Sequence, residues 1–300
     1  QATTSPQPNR PSPGPTASLW RPTAHFILAI RKTIEFVKYL HELERRHQRP
    51  SPWKNREQGE QLMHRIHTVT VKGSPMEIFM FEPEGEGSHP GIVLAQHIPS
   101  GHSGVEKDVF TLKTAKRFAE NGYAVAVPFI FHWWPKTDDI QVKREGFRDD
   151  WTTLDLQATF DYLASGENVD ADRIGIVGHC WGGRVSWLGA CHNPKLAACA
   201  IFYGGRIKVQ MGPNTPPAIE LASNIKCPVA GFFGNEDQNP SPEDVNDYEA
   251  ALTAAGVPHV FNRYDDTGHA FQSFDSPEKF RPVSSEDAWM KVLAFLKEKL

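Results

Sequence analysis

The residues best suited to chemistry include a cysteine in a glycine-rich turn. Cys180 lies in the run Gly178-His179-Cys180-Trp181-Gly182-Gly183, after a short apolar stretch and before a helical one. A Gly-x-Cys-x-Gly turn between a strand and a helix is typical of a nucleophile elbow, which holds a reactive side chain at the edge of a sheet. The helix N-terminus favours the thiolate over the thiol. The sequence therefore predicts that Cys180 is a nucleophile, and the alternative is a buried core cysteine beside a tight turn.

An acid and a base follow the cysteine in the chain order that such a nucleophile needs. Asp237 ends a Gly-Asn-Glu-Asp turn after a predicted strand (227–233), and His269 lies in a Gly-His-Ala-Phe turn after another (258–264). We expect His269 to be the general base, with Asp237 orienting its imidazole and stabilising the charged form. Glu236 is a rival acid one residue away, Asp237 could serve only as a helix cap, and His269 could be a solvated loop histidine.

Together these three motifs resemble the dienelactone hydrolase family, over about residues 66–300. The resemblance implies an α/β-hydrolase fold and a triad of Cys180, His269 and Asp237. It also implies hydrolysis of a small-molecule lactone or other carboxylic ester through an acyl-thioester intermediate. The same resemblance implies no metal and no organic cofactor.

The segment after the strand predicted at 91–97 departs from that family. The family typically carries a glutamate there, which pairs with the resting cysteine, whereas this chain has His97. A histidine is either a neutral acceptor or a cation that lowers the pKa of Cys180; alternatively, it only shapes the mouth of the pocket. By the geometry of the elbow, the backbone N–H groups of Trp181 and Ile98 are expected to form the oxyanion hole.

The predicted substrate pocket is aromatic rather than basic. Relatives that act on the dienelactone carboxylate use an arginine near the catalytic histidine, but no arginine follows His269 before Arg281, and Arg144, Arg148 and Arg206 are unaligned substitutes. A Phe-Ile-Phe-His-Trp-Trp run follows a strand end, where α/β sheets border their binding crevice. The side chains predicted to contact substrate are His97, His132, Trp133, Trp134 and Phe271. The alternative for the aromatic rings is that they fill the core or close a loop.

Alternating strands and helices are predicted to position these residues. The predicted strands span 64–72, 76–82, 91–97, 123–128, 173–178, 197–203, 227–233 and 258–264. The predicted helices span 107–121, 149–165, 181–192, 242–256 and 284–299. Such alternation predicts an α/β fold, with a mostly parallel, doubly wound sheet and helices on both faces.

Three segments are predicted along the chain. Residues 1–19 are rich in Pro, Ser and Thr and are expected to be disordered. Residues 20–63 form a helical extension and a polar linker, and 64–300 form the catalytic domain. The helix over 23–47 has one apolar face, which we expect to pack on the hydrolase core; membrane-surface docking and a dimer contact are the alternatives.

Composition excludes other classes of protein. A net charge of -4 with no long basic run argues against nucleic-acid binding. No run approaches the ~18 consecutive apolar residues of a membrane span. The other three cysteines have no zinc-ligand spacing and are expected to pack as small hydrophobes. The oligomeric state is left open as monomer or homodimer. The compartment is also open, with a slight preference for export from the Pro/Ser/Thr-rich start.

Two other functions fit the same motifs. One is a thioesterase, or an esterase for bulky aromatic esters, that uses the same triad. The other is a hydrolase fold that binds ligand or senses redox state through its thiol without turnover. His97 is the only residue that motivates this second alternative.

Overall fold

A computed structural model of the chain describes residues 64–98, 104–213 and 215–300. The segment predicted as the catalytic domain is therefore described apart from two short gaps. The predictions for 1–19 and for 20–63 lie outside the described residues. All described residues belong to one compact unit of the chain.

Eight strands form one sheet, in the order β1-β2-β4-β3-β5-β6-β7-β8. They are β1 (Arg65–Val71), β2 (Ser74–Phe81), β3 (His89–Ala95), β4 (Ala124–Pro128), β5 (Val169–His179), β6 (Ala198–Phe202), β7 (Val229–Gly234) and β8 (His259–Tyr264). Strand β2 pairs antiparallel with both β1 and β4, and every other pairing in the sheet is parallel. The predicted, mostly parallel sheet is confirmed.

Helices cover both sides of this sheet. They are α1 (Val109–Ala119), α2 (Ile140–Glu145), α3 (Asp149–Ala164), α4 (Trp181–His192), α5 (Pro242–Ala254) and α6 (Pro282–Lys299), with short 3-10 helices at Val105–Lys107 and Ala218–Asn224. Within the described ranges, none of these helices has the length and apolar character needed to cross a bilayer. The five long helices match the predicted ones to within two residues at each end.

Local sequence explains where the strands and helices lie. Strands β4 and β6 are buried along their whole length, and both read as continuous apolar runs, as expected for parallel strands covered on both faces. Helix α5 begins at a capping box, in which the Ser241 hydroxyl accepts from the Asp244 N–H and the Asp244 carboxylate accepts from the Ser241 N–H. Asp108 caps α1 by accepting from the Thr111 N–H.

Strand β3 begins and ends two residues earlier than predicted, which changes the position of His97. Its ladder with β5 ends at the pair Ala95 and Gly178, because β5 then turns away into the elbow and offers no further partner. His97 therefore lies in the loop beyond the strand, two residues after Ala95.

Helix α2 was not predicted from the sequence. It is only six residues long and depends on a local cap, in which Asp139 accepts from the Gln141 N–H.

Candidate active site

Cys180 occupies a strained turn between β5 and α4. Its φ of 56° and ψ of -118° lie in a region that side-chain-bearing residues rarely adopt, at a cost of about 1–3 kcal/mol. A Cβ atom at Gly178 would overlap the carbonyl oxygen of Gly182, and one at Gly182 would overlap that of Ala95. The turn therefore needs glycine at both positions, and the first turn of α4 lies against the end of β3.

The three residues singled out by type and spacing lie in one hydrogen-bonded chain. His269 Nε2 is 3.1 Å from Cys180 Sγ, and His269 Nδ1 is 2.8 Å from Asp237 Oδ2. The side chain of Asp237 is 2% exposed, and its Oδ1 accepts from the Asn239 N–H at 2.8 Å. Glu236 is exposed. The carboxylate that contacts the imidazole is therefore that of Asp237.

The turns that carry the acid and the histidine are tied to each other by backbone hydrogen bonds. Asn235 N–H donates to the Tyr264 carbonyl at 2.8 Å, and Glu236 N–H donates to the Thr267 carbonyl at 2.9 Å. Both turns follow neighbouring parallel strands, β7 and β8, whose carboxyl ends meet at one edge of the sheet. The chain therefore fixes the distance between the carboxylate and the imidazole through its backbone.

The charges around Cys180 and His269 favour the ionised form of both side chains. Burial opposes the charged form of His269, but the hydrogen bonds to Asp237 and Cys180 outweigh it and raise the pKa of His269 to about 10. Burial likewise opposes the thiolate, but His269, the charge of His97 and the Trp181 N–H together lower the pKa of Cys180. Both shifts act in the direction of a thiolate beside an imidazolium.

The other three cysteines contrast with Cys180. Burial raises the pKa of both Cys191 and Cys227 to about 12, and it raises the pKa of Cys199 well above its ordinary value. All three are buried, whereas Cys180 is partly exposed. Because a thiolate is the reactive form, Cys180 is the cysteine suited to nucleophilic attack.

His97 belongs to a second pairing of a histidine with a carboxylate. Its Nδ1 lies 2.9 Å from Asp108 Oδ2 and 3.0 Å from Thr111 Oγ1. The side chain of Asp108 is 1% exposed. Burial opposes the charged imidazole, but the contact with Asp108 outweighs it and raises the pKa of His97. Sequence reasoning missed Asp108, because nothing in an acidic helix cap indicates that it also binds a loop histidine.

The two backbone groups predicted as oxyanion donors flank the cysteine in different ways. Trp181 begins α4, and its N–H is among the groups that lower the pKa of Cys180. Ile98 lies three residues after β3, with its side chain packed against the core. The close approach of Gly182 to the Ala95 carbonyl brings this loop beside the elbow. The role of both N–H groups as oxyanion donors stays a prediction.

His132 and Trp133 are hydrogen-bonded into the protein interior. His132 Nδ1 is 2.8 Å from Ser74 Oγ, and its Nε2 is 2.9 Å from Asp155 Oδ1. The indole N–H of Trp133 donates to the other oxygen of Asp155 at 3.0 Å. Both ring nitrogens of His132 are therefore occupied, and its side chain is only 2% exposed. This network joins the β1–β2 hairpin to α3, a role that the sequence did not indicate.

Phe271 is a core residue. Its side chain is fully buried between the rings of Tyr203 and Tyr264, at centroid distances of 5.2 and 5.3 Å. Tyr203 in turn packs edge-on against the His269 ring at 5.2 Å. Phe271 therefore supports the imidazole through Tyr203, and its fully buried side chain is not open to a substrate.

The aromatic run approaches the elbow through a residue that was not predicted. Trp134 is partly buried, with its ring 5.9 Å from that of Trp151. The Phe147 ring packs edge-on against the Trp181 ring at a centroid distance of 4.9 Å. The Phe131 ring lies 5.8 Å from the Phe147 ring. The rings of Phe131, Phe147 and Trp181 form a continuous apolar layer from the aromatic run to the residue after the nucleophile.

The arginines considered as binding groups for a substrate anion either form other hydrogen bonds or are exposed. Arg148 forms two hydrogen bonds to Asp150, at 3.0 and 2.6 Å. Arg281 donates to neighbouring backbone carbonyls, and Arg144 and Arg206 are exposed. In the part of the chain that the structure describes, no three His, Cys, Asp or Glu side chains are arranged to hold a metal ion.

A buried ion pair anchors the elbow helix. Arg184, in the first turn of α4, makes two bonds to Asp149, at 2.6 and 2.7 Å, and the two side chains are 1% and 0% exposed. Arg184 also donates to the carbonyls of Arg206 and Val209. Asp149 begins α3, so this pair fixes two helices and a loop around the nucleophile. Sequence reasoning missed it because the two residues are 35 positions apart.

Comparison with known sequences identifies relatives over most of the chain. The model of the dienelactone hydrolase family matches residues 76–300. The protein named "Putative carboxymethylenebutenolidase" from Escherichia coli (strain K12) is 29% identical over 239 residues, covering 77% of this chain and 85% of the relative. The protein of the same name from Salmonella typhimurium is 30% identical over 236 residues, covering 76% and 84%.

Comparison with solved structures identifies the same fold. The crystal structure titled as a putative dienelactone hydrolase from Klebsiella pneumoniae has a TM-score of 0.68 and 25% identity, and it covers 78% of this chain and 99% of that one. A dienelactone hydrolase-like promiscuous phosphotriesterase from metagenomic libraries has a TM-score of 0.67 at 17% identity, covering 79% and 98%. The second likeness concerns the fold alone.

Proposed function

The chain belongs to the dienelactone hydrolase family and is a hydrolase of that type, and we propose that it cleaves a carboxylic ester or lactone through an acyl-thioester on Cys180. The observation that carries the proposal is the chain from Cys180 through His269 to Asp237, with contacts of 3.1 and 2.8 Å. A nucleophile, a base and a group that orients the base are the parts that covalent acyl transfer requires.

In the acylation half of the proposed reaction, the thiolate attacks the substrate carbonyl. A bond forms between Cys180 Sγ and the carbonyl carbon, and the carbonyl π electrons move onto oxygen. The N–H groups of Trp181 and Ile98 stabilise this oxyanion, and one such donor is typically worth roughly 2.7–4 kcal/mol. The carbon–oxygen bond to the leaving group then breaks, and the His269 imidazolium gives its proton to the departing alkoxide.

In the deacylation half, His269 changes from acid to base. The neutral imidazole takes a proton from water while the water oxygen attacks the thioester carbonyl. The tetrahedral intermediate then breaks its carbon–sulfur bond, which releases the carboxylic acid and restores the thiolate. Asp237 stabilises the imidazolium in both halves, because its buried carboxylate stays bonded to Nδ1.

The substrate is proposed to be a small lactone or ester. The names of the two relatives specify a butenolide, which is a lactone. The apolar layer that includes Phe147 and Trp181 favours a hydrophobic acyl or alcohol group near the sulfur. A panel of lactones, aryl esters and thioesters separates this proposal from the thioesterase alternative and from an esterase for bulky aromatic esters.

The proposal is tested by rapid-mixing kinetics with p-nitrophenyl acetate. The wild type is expected to give a burst of p-nitrophenol followed by steady turnover, and Cys180→Ala is expected to abolish both. Cys227→Ala is the matched control, because it removes a buried thiol whose pKa is raised and leaves turnover unchanged. Steady turnover in Cys180→Ala would overturn the proposal. A burst without turnover would favour the ligand-binding or thiol-sensing alternative.

A further inference from the structure

Two pairs of a histidine with a buried carboxylate lie around a single cysteine. The first, formed by His269 and Asp237, contacts the sulfur directly. The second, formed by His97 and Asp108, lies in the loop that follows β3, against which the elbow is packed. The proposed mechanism uses the first pair and assigns no step to the second.

The contacts of the second pair fix which nitrogen of His97 carries a proton. Asp108 Oδ2 accepts from the Thr111 hydroxyl at 2.7 Å and lies 2.9 Å from His97 Nδ1. A carboxylate can only accept, so Nδ1 is the donor in this contact. Among the residues that the structure describes, no group hydrogen-bonds the His97 Nε2. When protonated, His97 is therefore a cation whose second N–H is unused within the described part of the chain.

The charged groups around His97 favour its cationic form. Asp108 at the start of α1, the Cys180 thiolate at the elbow and Asp275 in the loop before α6 all act to raise its pKa, against the effect of burial. His179, at the end of β5, is neutral because burial lowers its pKa to about 3, so it adds no opposing charge. The charge of His97 acts in turn on Cys180 and lowers its pKa.

We propose that the His97–Asp108 pair holds a second imidazolium beside Cys180, which favours the ionised sulfur independently of His269. This inference rests on the proposed function of Cys180 as the nucleophile. His97 acts through the sulfur and is a positioning residue. In deacylation it stabilises, together with the His269 imidazolium, the thiolate that leaves as the carbon–sulfur bond breaks.

The test is the pH dependence of Cys180 alkylation by iodoacetamide, in which the thiolate attacks the methylene carbon and displaces iodide. It compares the wild type with His269→Gln, His97→Gln and the double variant, with mass spectrometry to assign the modified residue. With His269→Gln alone, the midpoint is expected to stay below the value of a free cysteine, about 8.5. In the double variant it is expected to reach or exceed that value. The alkylation rate at pH 6 is expected to fall about tenfold between the two.

Two further variants make the result specific. Asp108→Asn keeps the cap of α1, since asparagine also accepts from the Thr111 N–H, but it removes the charge that holds His97 protonated. It is expected to act in the same direction as His97→Gln when combined with His269→Gln, so the test does not depend on one substitution. His192→Gln, at the far end of α4, is the control and leaves the midpoint unchanged.

The proposal is overturned if the double variant titrates at the same pH as His269→Gln alone. That result is distinguishable from failure of the proposed function, since alkylation reports the ionisation of the sulfur whether or not esters are turned over. Ester turnover that persists in Cys180→Ala would end the acyl-thioester mechanism and leave the alkylation midpoints unaffected.

Discussion

Replacing Asp237 by asparagine removes one negative charge and exchanges one carboxylate oxygen for an amide NH2 group. Asparagine keeps the size of the side chain and an oxygen for the Asn239 N–H, so the turn after β7 is expected to fold as before. The 2.8 Å bond to His269 is made by a carboxylate that is 2% exposed. A hydrogen bond to a charged group contributes about 1.5–3 kcal/mol. At 1.36 kcal/mol per pKa unit, its loss lowers the pKa of His269 from about 10 by about 1–2 units.

The substitution is expected to act on rate and on pH dependence together. In the proposed mechanism the imidazolium of His269 protonates the leaving alkoxide, so kcat/KM is expected to fall as the pH rises through its pKa. The alkaline limb, near pH 10 in the wild type, therefore moves to lower pH in Asp237→Asn. The same free energy, lost from the transition state, lowers kcat/KM at its maximum by about 10–100-fold, and the amide N–H that then faces His269 Nδ1 adds to this loss by disfavouring the tautomer protonated there.

The assay is a pH-stat titration of an alkyl ester between pH 5 and 11. An alkyl ester is needed because its alkoxide leaving group requires a proton, unlike p-nitrophenolate. Glu236→Gln is the matched control, since Glu236 is exposed and lies next to Asp237. The assignment of Asp237 as the orienting acid would be refuted if the alkaline limb of kcat/KM stayed near pH 10 in Asp237→Asn. It would also be refuted if Glu236→Gln caused the fall in kcat/KM instead.

Other substitutions test how the site is supported. Arg184→Met leaves the carboxylate of Asp149 buried and unpaired. It is expected to lower the free energy of unfolding, measured in urea, by about 3–5 kcal/mol. The control Arg173→Met removes an exposed ion pair and is expected to cost less than about 1 kcal/mol. Adding Asp149→Leu to Arg184→Met is expected to restore most of the loss, and a cost that persists would contradict the argument from charge burial. His132→Gln is expected to cost about 1–3 kcal/mol of unfolding free energy with kcat/KM unchanged, and a large fall in kcat/KM would return His132 to the substrate site.

Patterns local in the sequence predicted the sheet and the three residues of the hydrogen-bonded chain. Gly178 and Gly182 flank Cys180 because backbone passes on both sides of the turn, and such a requirement is visible as spacing. Asp237 and His269 each follow an apolar strand, and the ends of neighbouring parallel strands meet at one edge of the sheet. Position after a strand was therefore enough to predict that they lie together.

The partners of buried polar groups could not be predicted from the sequence. His132 was expected to face the substrate, yet both its ring nitrogens are taken by Ser74 and Asp155, from two distant elements. Phe271 follows the catalytic turn but packs between tyrosines. Hydrophobic period and turn chemistry indicate which residues are buried or exposed, but they do not specify which distant side chain satisfies a donor or acceptor.

The most direct test of the central claim is acid-quench mass spectrometry of the enzyme during turnover of p-nitrophenyl acetate. Quenching within the burst phase traps any covalent intermediate, and peptide mapping locates it. The account predicts one added acetyl group, held as a hydroxylamine-sensitive thioester on Cys180 and absent from Cys180→Ala. An acetyl group on another residue, or turnover with no covalent adduct under conditions that preserve thioesters, would contradict it.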